Sequence, residues 1–292
     1  MGSPVGSPVG PTVGPTDGRS ARSAGMLGAA MTIDETELRL AWERAVGRSR
    51  AARSAFESVL TRHREPHRRY HGVRHVVWVV RHVHSLAAHE PVADTDAVVI
   101  AACYHDAVYT AGRDRGSTTG APASDEAASA ELARRELADL GDPAWPVERI
   151  DRVAGMIRAT AHLATDHHVD GPAHDPVAHD PVLHDPVLRD PVLRDPVHDP
   201  VDGPAGRPAD TDVLLDADLA VLGSPPNAYQ TYVNGVRAEY SHVDASAWRM
   251  GRRALLEAFV ARPTIYRTPT AVGWWEARAR ANLAAELAAF SR

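Results

Sequence analysis

The sequence contains no lysine and only one cysteine among its 292 residues. A single cysteine cannot form an intrachain disulfide, so the fold does not depend on a disulfide framework. Cys103 lies inside the apolar run 98–104, and this position predicts a buried structural thiol rather than a nucleophile. Arginine is the only strongly basic residue type. No arginine-rich run is interleaved with aromatic residues, so we expect no nucleic-acid polymer as a partner.

Long apolar runs and strand-like patterns are also missing. Aromatic residues make up only 5% of the chain, whereas alanine, a strong helix former, is abundant. No stretch reaches the roughly 18 consecutive apolar residues of a membrane span, so we expect no membrane contact. The N-terminal region has neither the basic start nor the apolar core of a secretory signal. These absences predict a cytoplasmic protein of the all-α class.

The net charge of −6 is concentrated in one segment. Residues 166–212 hold eleven aspartates, no glutamate and three arginines, so the remainder is close to neutral. His-Asp-Pro-Val and Arg-Asp-Pro-Val recur there mostly every five residues, and proline at that spacing forbids a helix. We interpret residues 165–210 as a low-complexity insert and residues 1–30, rich in glycine and proline, as a disordered tail. The parts 31–164 and 211–292 then form one helical domain.

Helical apolar spacing and helix-start residues recur through both of these parts. With no β-type alternation between them, the helices predict a helical bundle. The predicted helices cover 34–46, 50–63, 72–89, 95–108, 124–140, 146–163, 214–222, 226–241, 245–261 and 271–290.

Two polar pairs carry the first indications of chemistry. His105 and Asp106 end an apolar run, where a buried imidazole and carboxylate are costly unless they are paired or bind a ligand. The alternative is a surface histidine beside an aspartate that caps a neighbouring helix. His71 and His75 are four residues apart and therefore share one helix face. One ring could bind a metal while the other serves the substrate; the alternative is a polar face.

Two further acids interrupt the apolar stretch 214–223. Buried acids there need hydrogen bonds or a cation, because an isolated charge in an apolar environment is strongly disfavoured. Asp216 would suit a capping role near the helix start, whereas Asp218, about half a turn further along, is better placed to be a ligand.

The motifs taken together resemble the HD superfamily of metal-dependent phosphohydrolases, in particular its branch of small bacterial HD-domain proteins. The resemblance covers about 34–290 without the insert, and Asp125 stands where the family pattern has asparagine. The matching motifs are Tyr70-His71 with His75, His105-Asp106-Ala107-Val108-Tyr109, Asp125-Glu126-Ala127-Ala128-Ser129-Ala130, Asp216-Ala217-Asp218-Leu219 with Leu222-Gly223, and Arg262-Pro263-Thr264-Ile265-Tyr266.

The resemblance implies an HD-like helical bundle that holds one divalent metal ion. The implied ligands are His75, His105, Asp106 and Asp218, with Asp216 as the substitute for the last. A mixed set of nitrogen and oxygen ligands suits Mn, Fe, Co, Ni or Zn better than Mg, whose sites are usually all oxygen.

The function implied is hydrolysis of a phosphate ester, in a nucleotide or small phosphorylated metabolite, by metal-activated water. Catalytic roles fall to His71, Asp106 and Glu126, although Glu126 would equally suit a helix start. His162 and Arg237 are candidate substrate contacts, with a helix-end histidine and a surface ion pair as the alternatives. Rival functions are a metal- or nucleotide-binding regulator without turnover and an oxygenase or lyase. The oligomeric state is left open.

Overall fold

A computed structural model describes residues 1–2, 31–112, 124–161 and 209–290. These ranges contain ten α-helices, one short 3-10 helix and no strand, so the predicted all-α class is confirmed. The α-helices are α1 (Ile33–Val46), α2 (Arg50–His63), α3 (Val73–Ala87), α4 (Thr95–Tyr104), α5 (Asp125–Ala138), α6 (Val147–Ala159), α7 (Ala209–Leu219), α8 (Pro226–Glu239), α9 (Ala245–Ala261) and α10 (Pro269–Phe290).

The predicted tail and insert lie almost wholly outside the described residues. Of the tail, only residues 1–2 are described. Of the insert, only residues 209 and 210 are described, and both belong to α7. The insert boundary at 210 is therefore wrong by two residues, and α7 begins five residues before its predicted start.

Most helix starts agree with the sequence because local caps fix them. Ser49, Asp94, Ser124 and Asp244 each accept a hydrogen bond from a backbone N–H in the first turn of the helix that follows. Thr32 and Glu35 form a reciprocal capping box at the start of α1. The start of α7 has a different cause: the carboxylate of Asp210 accepts hydrogen bonds from the N–H groups of Ala93 and Asp94, at 2.7 and 3.1 Å.

The central element of the bundle is α4, which contacts α1, α3, α5, α6 and α7. Every residue from Ala97 to Tyr104 is buried, including Cys103, as the sequence predicts. Burial raises the pKa of the Cys103 thiol to about 12, consistent with a structural role. Because α4 is surrounded, the residues that follow Tyr104 emerge between α3 and α7. This placement delivers the His105-Asp106 pair to the middle of the bundle.

The C-terminal helices close one side of this core. The 3-10 helix Ala220–Gly223 follows α7 directly and packs against α8 and α10. Gly223 is required there, because a Cβ at this position would lie 2.4 Å from the Cβ of Trp275. No helix in the described ranges has both the length and the apolar character needed to cross a membrane.

We predict that Asp210→Ala lowers the free energy of unfolding by about 1–3 kcal/mol, because two backbone N–H groups lose a charged acceptor. Asp212→Ala is the matched control: this side chain is partly exposed and lies 3.8 Å from Arg267. It should cost at most about 1 kcal/mol. Urea unfolding followed by circular dichroism measures both, and equal losses would contradict the clamping role of Asp210.

Candidate metal centre and its pocket

Four side chains named from the sequence meet where α3, α4 and α7 converge. His75 lies in the first turn of α3, His105 caps the C-terminal end of α4, Asp106 follows it, and Asp218 is the penultimate residue of α7. His75 and His105 are only 4% and 2% exposed. The tertiary packing therefore unites residues that are up to 143 positions apart in the sequence.

The nitrogen and oxygen atoms of this cluster lie close together. The Nε2 atoms of His75 and His105 are 3.1 Å apart, and Oδ1 of Asp218 lies 3.3 and 3.5 Å from them. Oδ2 of Asp106 lies 3.3 and 3.1 Å from the same two nitrogens. Metal–ligand bonds of about 2.0–2.2 Å at tetrahedral or octahedral angles separate neighbouring ligand atoms by roughly 3.0–3.5 Å. The spacing of His75, His105 and Asp218 is therefore compatible with a metal ion.

His75, His105 and Asp218 form a group that can hold a cation, with ligand atoms within 4.8 Å of one another. The charge balance points the same way. Burial disfavours the protonated imidazole, but the carboxylates of Asp106 and Asp218 raise the pKa of His105 well above its ordinary value. Burial also opposes ionisation of Asp106, whereas the adjacent His105 and His71 lower its pKa well below the usual range. Two carboxylates in this enclosure attract positive charge, which a divalent ion supplies.

The backbone around the centre fixes which ring nitrogen faces it. Nδ1 of His105 is 2.8 Å from the carbonyl oxygen of Ala102, to which it donates, so Nε2 is the nitrogen directed at the cluster. The guanidinium of Arg68 donates to the carbonyl oxygens of His71, Asp106 and Ala107. Arg68 thus binds the segment before α3 to the segment after α4. No local sequence pattern marks this buried arginine.

His71 is held beside the centre by Glu239. Its Nδ1 lies 2.6 Å from Oε2 of Glu239, whose side chain is completely buried. Burial opposes ionisation of Glu239, yet the charge of His71 and the hydrogen bonds from His71 and Tyr70 lower its pKa to about 2. Burial likewise disfavours the protonated His71 ring, but Glu239 and Asp106 raise its pKa. Nδ1 of His71 is thus held by the carboxylate, and Nε2 is the nitrogen left to act in the pocket that His71 lines.

Glu239 is the main site residue that sequence reasoning missed. Its Oε1 also accepts hydrogen bonds from the backbone N–H groups of Arg69, Tyr70 and His71, and Oε2 accepts one from the Tyr109 hydroxyl. One signal was present in the sequence. Glu239 ends α8, where a negative charge opposes the helix dipole, so a partner elsewhere in the fold was to be expected.

Asp216, the substitute ligand, has a structural role instead. Its carboxylate accepts hydrogen bonds from the N–H groups of Arg267 and Thr268 and from the Thr268 hydroxyl, at 2.7–3.1 Å. These contacts hold the residues that precede α10. Asp216 and Asp218 are two positions apart on α7 and so face opposite ways, which is why only Asp218 reaches the imidazoles.

Arg237 does not join the centre. Both terminal nitrogens of Arg237 donate to backbone carbonyls, of Tyr240 and Val243, and its guanidinium stacks on Trp248 at 5.2 Å. The guanidinium thus binds the turn after α8. His162 lies outside the described residues.

Two further histidines, His82 in α3 and His89 just after it, lie away from the centre. Nδ1 of His82 is 2.7 Å from the carbonyl oxygen of Trp78, and the ring contacts Trp275. His89, just beyond the helix, packs edge-on against Trp274. Neither takes part in the cluster, so of the histidines on this helix only His75 does.

A pocket of about 170 Å³ opens beside the centre. His105, Asp106 and Asp218 line it, as does Glu126 near the start of α5. The adjacent Asp125 binds the N–H and hydroxyl of Thr110 through Oδ2, which anchors α5 to the chain that follows Asp106. Glu126 therefore lines the same pocket as the candidate metal ligands, a position compatible with its predicted catalytic role.

We predict that His75→Ala and Asp218→Ala weaken Mn²⁺ binding by more than about 100-fold, since loss of a ligand should exceed the 10–100-fold cost of losing an outer partner. His84→Ala is the control, because it changes an exposed histidine of the same helix. The six histidines within 165–210 contribute the same background to every variant. Equilibrium dialysis with metal analysis provides the comparison, and unchanged affinity in both site variants would rule out the centre.

A second prediction concerns the contacts of Glu239. Glu239→Gln should reduce the free energy of unfolding by about 2–4 kcal/mol, because His71, Tyr109 and three backbone N–H groups would lose a charged acceptor. Glu257→Gln, at an exposed i,i+4 pair with Arg253, should change it by less than about 0.5 kcal/mol. Chemical denaturation measures both; comparable values for the two variants would contradict a stabilising role for Glu239.

Comparison of the chain with protein-family models, with curated proteins and with solved structures finds no match of any of these kinds. Membership of the HD superfamily therefore stays a prediction from the motifs. The chemistry of the centre has to be inferred from its own atoms.

Proposed function

We propose that this protein is a metal-dependent phosphohydrolase that cleaves the phosphate ester of a small molecule with water. The observation that supports the proposal is the convergence of two imidazole nitrogens and two carboxylate oxygens beside a pocket. A pocket of about 170 Å³ is below the roughly 300–1,000 Å³ typical of sites for drug-sized ligands, which favours a small substrate.

The residues that would hold the ion are His75, His105, Asp106 and Asp218. A divalent ion bound there would lower the pKa of water and offset the negative charge on the phosphoryl oxygens. The two neutral nitrogens and two carboxylates favour Mn, Fe, Co, Ni or Zn over Mg. His105 enters this arrangement already oriented by the carbonyl of Ala102.

The overall reaction is a displacement at phosphorus. A bond forms between the water oxygen and phosphorus, the ester P–O bond breaks, and the alcohol leaves with a proton derived from water. His71 is the candidate to hold that proton near the leaving oxygen, because Glu239 fixes its ring at the pocket wall. Glu126 is the candidate to accept a proton from water, as it lines the same pocket.

We expect the purified protein to hydrolyse at least one member of a panel of nucleotides, cyclic nucleotides and small phosphomonoesters when supplied with Mn²⁺, Fe²⁺, Co²⁺, Ni²⁺, Zn²⁺ or Mg²⁺. His105→Ala and Asp218→Ala should lower kcat/KM by at least about 100-fold, because several kcal/mol of transition-state stabilisation depend on the ion. Phosphate release measures the rate, and His84→Ala should retain it.

Three outcomes would overturn the proposal. Tight metal and ligand binding without phosphate release with any ion would indicate a binding protein. Product formation with Fe²⁺ that requires air and stops under argon would indicate an oxygenase. Full activity in both site variants would show that the chemistry lies elsewhere.

A further inference from the structure

One face of α9 lines the pocket. Trp248, Gly251, Arg252, Leu255 and Phe259 line the pocket at helical spacing, so they share one face of α9. Tyr232 and Val236 of α8 extend this wall. We refer to these seven residues as the α9 wall. Apart from Arg252, the wall offers aromatic rings, aliphatic groups and a glycine.

Side chains outside the α9 wall pack against its aromatic rings and hold them in place. Arg237 stacks on Trp248 while it bonds the turn after α8, and Tyr240 packs against Trp248 with ring centroids 5.5 Å apart. Tyr232 meets Tyr70 edge-to-face at 4.8 Å, and Tyr70 in turn contacts the ring of His75. A wall fixed in this way loses little side-chain entropy when a flat apolar group packs on it.

The charged side chains of the pocket limit how many phosphate groups a substrate can carry. Arg252 is the one arginine among the described lining residues, and its side chain is only 3% exposed. Its Nε and one terminal nitrogen bond Glu286 at 2.8 and 3.1 Å, and the other donates to the Tyr232 hydroxyl at 3.0 Å. Each of the three nitrogens thus donates a hydrogen bond, and the charge is paired with Glu286, so this arginine is poorly placed to balance a polyphosphate chain.

Carboxylates in the pocket also disfavour a polyphosphate chain. Asp106, Asp125, Glu126 and Asp218 all line the pocket. An ion at the centre can balance one phosphoryl group, but among the described lining residues a second or third phosphate would meet carboxylates and apolar rings, and the one arginine there is already paired with Glu286. The pocket therefore combines a site for one phosphoryl group with a surface for an apolar, flat substituent.

We propose that the substrate is a phosphomonoester whose alcohol part carries an aromatic ring that packs on the α9 wall, and that polyphosphates are disfavoured. This inference rests on the proposed function. Hydrolysis converts such an ester and water into the aromatic alcohol and inorganic phosphate; the ester P–O bond breaks, and no oxidant or further reactant is needed.

The test uses non-hydrolysable probes, so that it reads binding rather than turnover. Benzylphosphonate, methylphosphonate and methylenebisphosphonate are titrated calorimetrically into the full-length protein saturated with Mn²⁺, each corrected by titration into Mn²⁺ alone. We expect benzylphosphonate to bind at least about tenfold more tightly than methylphosphonate, because ring packing adds to apolar burial. Methylenebisphosphonate should show no gain over methylphosphonate.

Trp248→Ala tests the α9 wall itself, with Arg249→Ala as the control for an exposed neighbour on the same helix. Trp248→Ala should abolish most of the preference for the benzyl group while Mn²⁺ and methylphosphonate still bind. Arg249→Ala should keep the preference. Retained binding of Mn²⁺ and methylphosphonate also shows that the variant is folded.

The outcomes separate this inference from the proposed function. If Mn²⁺ binds but none of the three probes does, the proposed function fails. Equal binding of the two monophosphonates, tighter binding of the bisphosphonate, or a benzyl preference that survives Trp248→Ala would each overturn the inference and leave phosphohydrolysis standing.

Discussion

The close approach of two carboxylates to two imidazoles is the interaction on which the candidate centre depends. The neighbouring parts of the fold hold these four side chains together. Asp106 and Asp218 approach the ring nitrogens of His75 and His105 to within 3.1–3.5 Å. Negative charge at this depth is tolerated only with a compensating cation, whether protons on the rings or a metal ion. Arg68 and the carbonyl of Ala102 supply the backbone geometry that keeps these groups together.

Two kinds of acid in the described part of the chain differ in their partners. Asp210, Asp216 and Glu239 are buried and accept hydrogen bonds from backbone N–H groups of distant segments, and they connect parts of the chain. Asp106 and Asp218 are partly buried and approach the imidazole nitrogens of the candidate centre. The first kind stabilises loops by satisfying donors that would otherwise be buried without partners. Only the second kind leaves its oxygens directed at a site where a ligand can bind.

The pocket combines two kinds of lining. Charged groups come from His105 and Asp106 after α4, from α5 and from Asp218 of α7, whereas the α9 wall on α8 and α9 is mainly apolar. Glu239 ends α8 and binds the loop that precedes α3. The buried pair of Arg252 and Glu286 fixes the α9 wall to α10. A substrate with one anionic end and one apolar end matches this division.

The sequence by itself determined the helical class, most helix starts and the burial of Cys103, because these features depend on local capping and on apolar periodicity. The cost of placing His105 and Asp106 at the end of an apolar run marked that pair as a candidate site, and the resemblance to a known family named the other candidate ligands. Only the tertiary structure decided between Asp216 and Asp218, bound Arg237 to a turn, placed the start of α7 at Ala209, and brought Glu239 and Arg68 to the site. Except for Arg237, whose partners are three and six residues away, each of these depends on hydrogen bonds between segments far apart in the chain. Such pairings leave no periodic or short-range trace in the order of the residues.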